Sequence, residues 1–416
     1  MPTRRVVVTG MGFVTPHGDR SDRIFERLYA GESAIRTVCY GRAALKLDVP
    51  VAVAEWDPKG EITPLPRVIT DPVAHMAFAA ARRALSQAGL VDEPDVLARA
   101  GIYMGCALGG ARTNEDGYAS YHAHTERGPR RIRPAWVPRI MANAPAAHIS
   151  VGFGIRGPSH TFSVACSSSS AAIGEAYRAV RDGYLDCVVA GGTEAMLADA
   201  VLFAWDALGV IARPHPDGPG ASVRPFDAAR TGFALGEGAG VLVLEAEEVA
   251  RARGAVPLGE IVGYGASSDA FNLTEPSTEG QARAMRAALD DAGIEPAAVG
   301  YVNAHATGTR VGDIVEIQAV KAAFGAHAHH LAVSSTKSMH GHMVGAAGAV
   351  ELGITLLGLA DGRIPPTANL TNPDPECDLD CVPLRGRQVP DLEYALSNSF
   401  GFGGSNVSLV VRRVPA

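Results

Sequence analysis

Short runs that are apolar at nearly every position alternate along this chain with stretches in which apolar residues recur every three or four positions. The first kind includes Arg5–Gly12 (RVVVTGMG), the start of Gly101–Gly110, Thr161–Val164, Asp186–Thr193, Ile261–Tyr264, Val299–Asn303 and Leu331–Ser335. Runs of this length that are apolar throughout predict strands buried on both faces. Helical spacing predicts helices over Asp22–Gly31, Asp71–Gly89, Ala171–Val180, Gly280–Gly293, Asp313–Phe324 and Gly345–Leu359. Such alternation argues for an α/β fold with a mainly parallel sheet covered by helices on both faces.

Other stretches read differently. Gly10-Met-Gly12 reads as a turn closing the first strand, and Leu45–Thr70, with prolines at 50, 58, 64 and 66, as a loop-rich excursion. The thirty or so residues after Gly110 read as a surface insertion, and 195–235 as irregular, before strand character returns in Gly232–Leu244. From Pro257 the pattern starts again, and two strands, Tyr394–Asn398 and Asn406–Val411, close the chain. A strand, a polar turn and a helix of small residues occur at both 161–180 and 331–359. The expectation is two similar halves, 1–255 and 256–416.

Bulk numbers narrow the classes. A chain of 416 residues exceeds one ordinary core. With 37 basic and 44 acidic residues, a net charge of −7 and no long run of either sign, nothing supports a nucleic-acid or membrane-surface role. The valine run near the N-terminus is too short for a signal-peptide core, and no uninterrupted apolar window reaches membrane-helix length, so the expected location is the cytoplasm. The six cysteines lack the paired spacing of a zinc site, and no metal is expected. The glycine turn after the first strand lacks G-x-G-x-x-G, which removes the dinucleotide-binding reading.

Three polar turns, each ending a predicted strand, hold the candidate chemistry: Cys166; Asn303-Ala-His305-Ala-Thr307-Gly-Thr309; and Ser334-Ser-Thr-Lys337-Ser-Met-His340-Gly-His342. Active sites of open α/β sheets form beyond the carboxyl ends of the strands, so the three turns are expected to converge. A sharp strand-to-helix turn would leave Cys166 at a helix N-terminus, where the dipole favours a thiolate. Taken singly, Cys166 also reads as a small buried residue, His305 as a hydrogen-bonding core residue, and His340 with His342 as a solvated loop. Together, a thiolate, two histidines and a lysine point to covalent acyl transfer on sulfur.

The motifs A-C-S-S-S at 165–169, N-A-H-A-T-G-T at 303–309, S-S-T-K-S-M-H-G-H at 334–342, G-A-A-G-A-V-E at 345–351 and N-S-F-G-F-G-G-S-N at 398–406 carry a specific resemblance. Over nearly its whole length the chain resembles the β-ketoacyl-acyl-carrier-protein synthases, the elongating condensing enzymes of the thiolase-like superfamily. The resemblance implies a five-layered αβαβα fold of two similar halves. It implies a dimer, either a homodimer or a heterodimer with a chain-length-factor subunit. No cofactor is implied beyond the phosphopantetheine arm of an acyl carrier protein. By the same resemblance, Cys166 is the acyl-accepting nucleophile, and His305 and His342 promote malonyl decarboxylation. Lys337 supports the site electrostatically with Glu351 as its partner, and Phe402 is a gating phenylalanine whose backbone N–H completes an oxyanion hole with that of Cys166. Thr307 and Thr309 match groups that hold the phosphopantetheine arm, and Leu108, Trp205 and Phe400 fall among substrate-binding positions. Asn303, Glu351, Ser397 and Asn398 match the surroundings of a monovalent cation sometimes held in the family.

The chain also departs from the family pattern. Ala306 stands where glycine is usual, His340 where the fatty-acid enzymes carry threonine, and Trp205 where phenylalanine is common. In Thr63–Asp71, which matches the carrier-docking region, only Arg67 is basic. These departures point toward a specialised pathway, such as a discrete polyketide or polyene synthase, with a different carrier or docking mode. A non-catalytic chain-length subunit would lack Cys166; thiolases and starter enzymes would lack His342; a cysteine hydrolase has no use for Lys337 and a second histidine.

Overall fold

The computed structural model describes residues 3–41, 45–58, 69–125 and 134–414. Ten strands form one sheet: Val6–Val14 (β1), Gly101–Gly105 (β2), Ser159–Phe162 (β3), Cys187–Glu194 (β4), Gly238–Ala246 (β5), Gly259–Ser268 (β6), Val299–Asn303 (β7), Ala332–Ser334 (β8), Tyr394–Gly401 (β9) and Ser405–Arg412 (β10). Their order across the sheet is β8-β7-β9-β10-β6-β1-β5-β4-β2-β3. Counted outward from the middle, both runs of five follow one plan. The first strand of each run pairs antiparallel with its fifth, the fifth antiparallel with its fourth, the fourth parallel with its second, and the second parallel with its third. The two runs meet where β1 and β6 pair antiparallel, Val6 opposite Ile261. The sheet is therefore mixed, not mainly parallel: strands apolar at every position are buried on both faces whatever their direction, so composition reports burial and not polarity of pairing.

Helices Pro72–Gln87 (α1), Ser168–Arg181 (α2), Asp199–Ala207 (α3), Thr278–Ala292 (α4), Arg310–Phe324 (α5) and Ala347–Asp361 (α6) supply the other layers. The buried helices α2 and α6 pack on each other and on strands of both runs, while α1 covers β1 and β5 and α4 covers β6 and β10. Helix, one five-strand run, paired helices, the other five-strand run and helix make the five layers of the thiolase-like fold. The stretch Val344–Asp361 has the length and mean hydropathy (1.4) of a membrane span, yet 83% of it is buried as the central helix.

Sequence expectation and structure differ at four places. The strand β1 does not turn at Gly10-Met-Gly12 but runs on to Val14 through a bulge after Val8. These glycines serve close packing: a Cβ on Gly10 or Gly12 would stand 2.1 Å from Ala84 O or 2.0 Å from Ala80 O on α1. The proline-rich excursion contains a strand, Leu47–Ala52, paired with Arg36–Tyr40 and with Leu235–Gly236; Pro50 is accommodated within it. The insertion after Gly110 forms a helix over Ala111–Thr125, and the irregular 195–235 stretch includes α3, on which only Leu202 is buried. A helix with so little buried face carries almost no periodic signal.

Candidate active site

Cys166 lies in a 3₁₀ turn between β3 and α2. Ala165 before it adopts φ +52°, a left-handed conformation that costs a non-glycine residue about 1–2 kcal/mol. Side chains hold the turn there. Ser168 Oγ donates to Ala165 O (2.6 Å) and accepts from Val164 N–H (3.0 Å). Ser167 Oγ bonds Ser399 O and Ser405 O, Ser169 Oγ accepts from Ala349 N–H, and Ser170 Oγ meets Ser399 Oγ. The serine run thus stitches the Cys166 elbow to the second half of the chain. The corresponding elbow before α6 repeats the strain, with Val344 at φ +41°.

The ends of β7 and β8 bring the other two polar turns to the same place. His342 Nε2 lies 3.0 Å from Cys166 Sγ, and the His305 and His342 rings are perpendicular with centroids 5.3 Å apart. The Phe402 backbone N–H hydrogen-bonds the Cys166 sulfur. Behind them, Lys337 and Glu351 are fully buried and 2.5 Å apart, a close ion pair off the line of a regular hydrogen bond. His340 lies on this side of the site: its Nδ1–H donates to Gly341 O, its Nε2 accepts from Thr336 Oγ1, and Glu351 is 4.0 Å away.

Cys166, His305, His342, Thr307, Thr309, Trp205, Phe400 and Phe402 all face one cavity of about 590 Å³. Aromatic rings run along its wall: His342 edge-on to Phe233 (5.2 Å), Phe233 edge-on to Trp205 (5.6 Å), and Trp205 tilted 30° against Phe402 (5.8 Å). Phe400 lies 6.0 Å from the His305 ring. Thr307 and Thr309 hydroxyls are 3.2 Å apart. Leu108 departs from expectation: it does not line this cavity, and its side chain is 48% exposed on the chain taken alone. Arg67 lies outside the described residues.

Burial dominates the electrostatics. The Cys166 thiol is pushed up to about 12, because desolvation outweighs the Lys337 charge and the Phe402 N–H that favour the thiolate. The low thiol pKa expected from the helix terminus is therefore not what the resting site has. Burial, then the nearby Lys337 charge, hold His305 and His342 well below the ordinary histidine value, although the His305 ring edge reaches the cavity. Both imidazoles are neutral. Burial raises Glu351 to about 7 against the pull of Lys337.

Three further buried carboxylates hold the site together, and sequence reasoning missed all three. Glu316 accepts from the backbone N–H groups of His305 and Ala306 and from Asn398 Nδ2. Asp313 accepts from Gly308 and Phe226 N–H. Glu194 accepts from Ala107, Leu108 and Gly345 N–H. Glu194 directly follows the predicted buried strand Asp186–Thr193, and Asp313 and Glu316 lie in a predicted helix, where nothing in the local pattern marks a carboxylate as part of the site.

Among the described residues, Asn303 Oδ1, Ser397 Oγ and the Glu351 carboxylate oxygens lack hydrogen-bond partners, an oxygen set that fits a monovalent cation. Asn398 is engaged instead with Glu316 and Ser408. The Cys166, His305 and His342 donor atoms also lie within 4.8 Å of one another. Among the described residues no group orients either imidazole from Nδ1, however, which a metal site ordinarily requires.

Residues 3–250 match the β-ketoacyl synthase N-terminal domain and residues 258–371 its C-terminal domain. The chain belongs to the β-ketoacyl synthase family. Across its full length it is 40% identical to the 3-oxoacyl-[acyl-carrier-protein] synthase 2 of Vibrio cholerae, covering all of both chains. Among solved structures it is similar to the ishigamide ketosynthase/chain length factor (TM-score 0.90, 32% identity, 99% of this chain and 100% of that one). It is also similar to a ketosynthase bound to its type II polyketide acyl carrier protein and the hexaketide (TM-score 0.86, 29% identity, 99% and 100%). As a member of this family the chain is a condensing acyltransferase of thiolase-like fold. Members of the family work on thioesters of the carrier protein's phosphopantetheine arm.

Proposed function

We propose that this β-ketoacyl synthase elongates an acyl chain held on Cys166 by two carbons taken from a malonyl carrier thioester. The observation that carries the reading is Cys166 Sγ at 3.0 Å from a neutral His342 Nε2, with His305 beside them, in one aromatic-walled cavity. A thiol held near pKa 12 needs a proton acceptor as it attacks, and His342 Nε2 is within reach. Sulfur bonds to the acyl carbon, the carrier thiolate leaves, and the Sγ proton passes through His342 to that thiolate. With malonyl thioester bound, the bond to the carboxylate breaks, carbon dioxide leaves, and its electron pair becomes an enolate. Neutral His305 and His342 donate through Nε2 to the enolate oxygen; each preorganised donor supplies roughly 3 kcal/mol. Neither Nδ1 has a partner among the described residues, so His342 is free to accept through Nε2 in one step and donate in the other. The enolate carbon then attacks the acyl-Cys166 carbonyl, whose oxyanion the Cys166 and Phe402 N–H groups hold, and Sγ leaves as a thiolate that takes up one proton from solvent, by way of His342, to restore the thiol. Thr307 and Thr309 take the phosphopantetheine arm.

The nucleophile belongs to an N-terminal half, 1–255, and the histidines, Lys337 and Phe402 to a C-terminal half, 256–416. In a cytoplasmic dimer, a second copy or a related chain-length subunit pairs along the edge strand β3, beside exposed Leu108 and Met141. Two observations favour the specialised reading, a ketosynthase subunit of a discrete polyketide or polyene system. One is the Trp205 indole against the gating Phe402; the other is the likeness to the ishigamide ketosynthase/chain length factor. Intact mass of the protein, after incubation with saturated and polyunsaturated acyl carrier thioesters with and without malonyl carrier, tests both. Labelling of Cys166 by saturated chains places it in fatty-acid elongation. Labelling only by unsaturated or polyketide chains, or only with a partner subunit, places it in a specialised synthase. Full labelling of Cys166→Ala sinks the mechanism.

A further inference from the structure

We infer that Arg230 is a positioning residue for this reaction, a guanidinium clamp on the loop that presents Thr307 and Thr309 to the phosphopantetheine arm. The inference rests on the reading of those threonines given above. Arg230 is 2% exposed although it lies in the 195–235 stretch that the sequence pattern reads as irregular. Its Nε–H donates to Thr309 O at 2.9 Å and its Nη2 to Arg310 O at 2.5 Å, while Nη1 donates to Asp227 O at 2.9 Å and to Asp374 Oδ2 at 2.6 Å. Asp313 adds a charge 3.6 Å from Nε.

The two carbonyls belong to the first turn of α5, where the helix's own bond is weak: Asp313 N–H reaches Thr309 O at only 3.4 Å. Arg230 supplies the missing donor. On its other side the turn is anchored to the loop at 371–374, because Asp227 accepts from Thr371 and Asn372 N–H and Asp374 N–H donates to Phe226 O. The next residues, Thr231 and Phe233, are cavity wall. One planar fork therefore fixes the position of Thr309 relative to that wall. A lysine, with a single compact charge, cannot meet three carbonyls and a carboxylate in this plane.

The test measures acyl transfer to Cys166 on the full chain by intact mass, from two donors. One is an acyl phosphopantetheine thioester; the other is the matching acyl thiophenyl ester, which lacks the arm. In Arg230→Lys, transfer from the pantetheine donor falls roughly tenfold, the scale of one charge-assisted hydrogen bond. Transfer from the thiophenyl donor changes less than twofold. Asp374→Asn leaves the carbonyl contacts and lowers the same ratio by about threefold, the smaller effect of losing only the ionic part; it decides alone if the arginine variant does not fold. Equal losses with both donors, or no loss with either, overturn the clamp. Failure of the thiophenyl donor to label the unaltered chain refutes Cys166 as acyl acceptor instead, which separates the two readings.

Discussion

Replacing Lys337 by methionine keeps the volume of a fully buried side chain and removes the charge 2.5 Å from Glu351. Leaving a buried carboxylate without its partner costs about 3–5 kcal/mol while that carboxylate stays ionised. Glu351 has an escape, because burial already raises it to about 7 with Lys337 present, and without that charge it rises further. A carboxyl whose folded pKa lies above its unfolded value of 4.5 loses stability as pH rises between the two, at up to about 1.4 kcal/mol per pH unit. In the unaltered protein this loss is complete near pH 7. In the variant it continues to the new, higher pKa. The destabilisation of Lys337→Met relative to the unaltered chain should thus grow by about 1.4 kcal/mol per unit above pH 7, from about 1 kcal/mol at pH 7 to about 4 at pH 9. Urea unfolding at pH 6, 7, 8 and 9 measures it. Adding Glu351→Gln should abolish the pH dependence. A destabilisation equal at pH 6 and pH 9 would refute the buried-charge account of this pair.

Three further outcomes follow from the site. His305→Ala and His342→Ala should each slow malonyl decarboxylation by 10²–10³, on the order of 3 kcal/mol per donor, yet leave acylation of Cys166 detectable; wild-type decarboxylation in both variants would contradict their assignment. Iodoacetamide labelling of Cys166 should climb roughly tenfold per pH unit from 7 to 9, as the thiolate fraction does below a pKa of about 12. A plateau below pH 8 would show an ionised resting thiol. Cys187→Ala, by contrast, removes a sulfur buried against α1 and away from the cavity, and condensation measured by product formation should be unchanged.

Much of the scaffold was legible because its signals are local. The strand Val299–Asn303 was read residue for residue, and most helices within a few residues, since apolar spacing depends only on which faces are covered. The three polar turns stood out because each follows a buried strand, and their residue types matched one family over the whole chain. What sequence pattern does not encode is which buried run lies beside which. The identical strand plan of the two halves emerges from pairings between residues as far apart as Val6 and Ala246, while the sequence likeness between the halves is faint.

The functional site divides in the same way. Cys166, His305, His342 and Lys337 were identifiable from residue type and motif. That Sγ and Nε2 meet at 3.0 Å is a property of the assembled layers. The helix-terminus argument for a low thiol pKa counts only the local dipole; complete burial, a sum over the whole surroundings, has the opposite sign and outweighs the pull of Lys337 and the Phe402 N–H. Arg230, Glu194, Asp313 and Glu316 were invisible as site residues for the same reason. A charged side chain reads as solvent-facing until the fold buries it, and its partners lie up to 151 residues away. Local pattern and motif carry most of the elements, the family and the reacting groups; strand pairing, ionisation and the clamps behind the site arise only in the folded chain, because they depend on contacts that no local pattern contains.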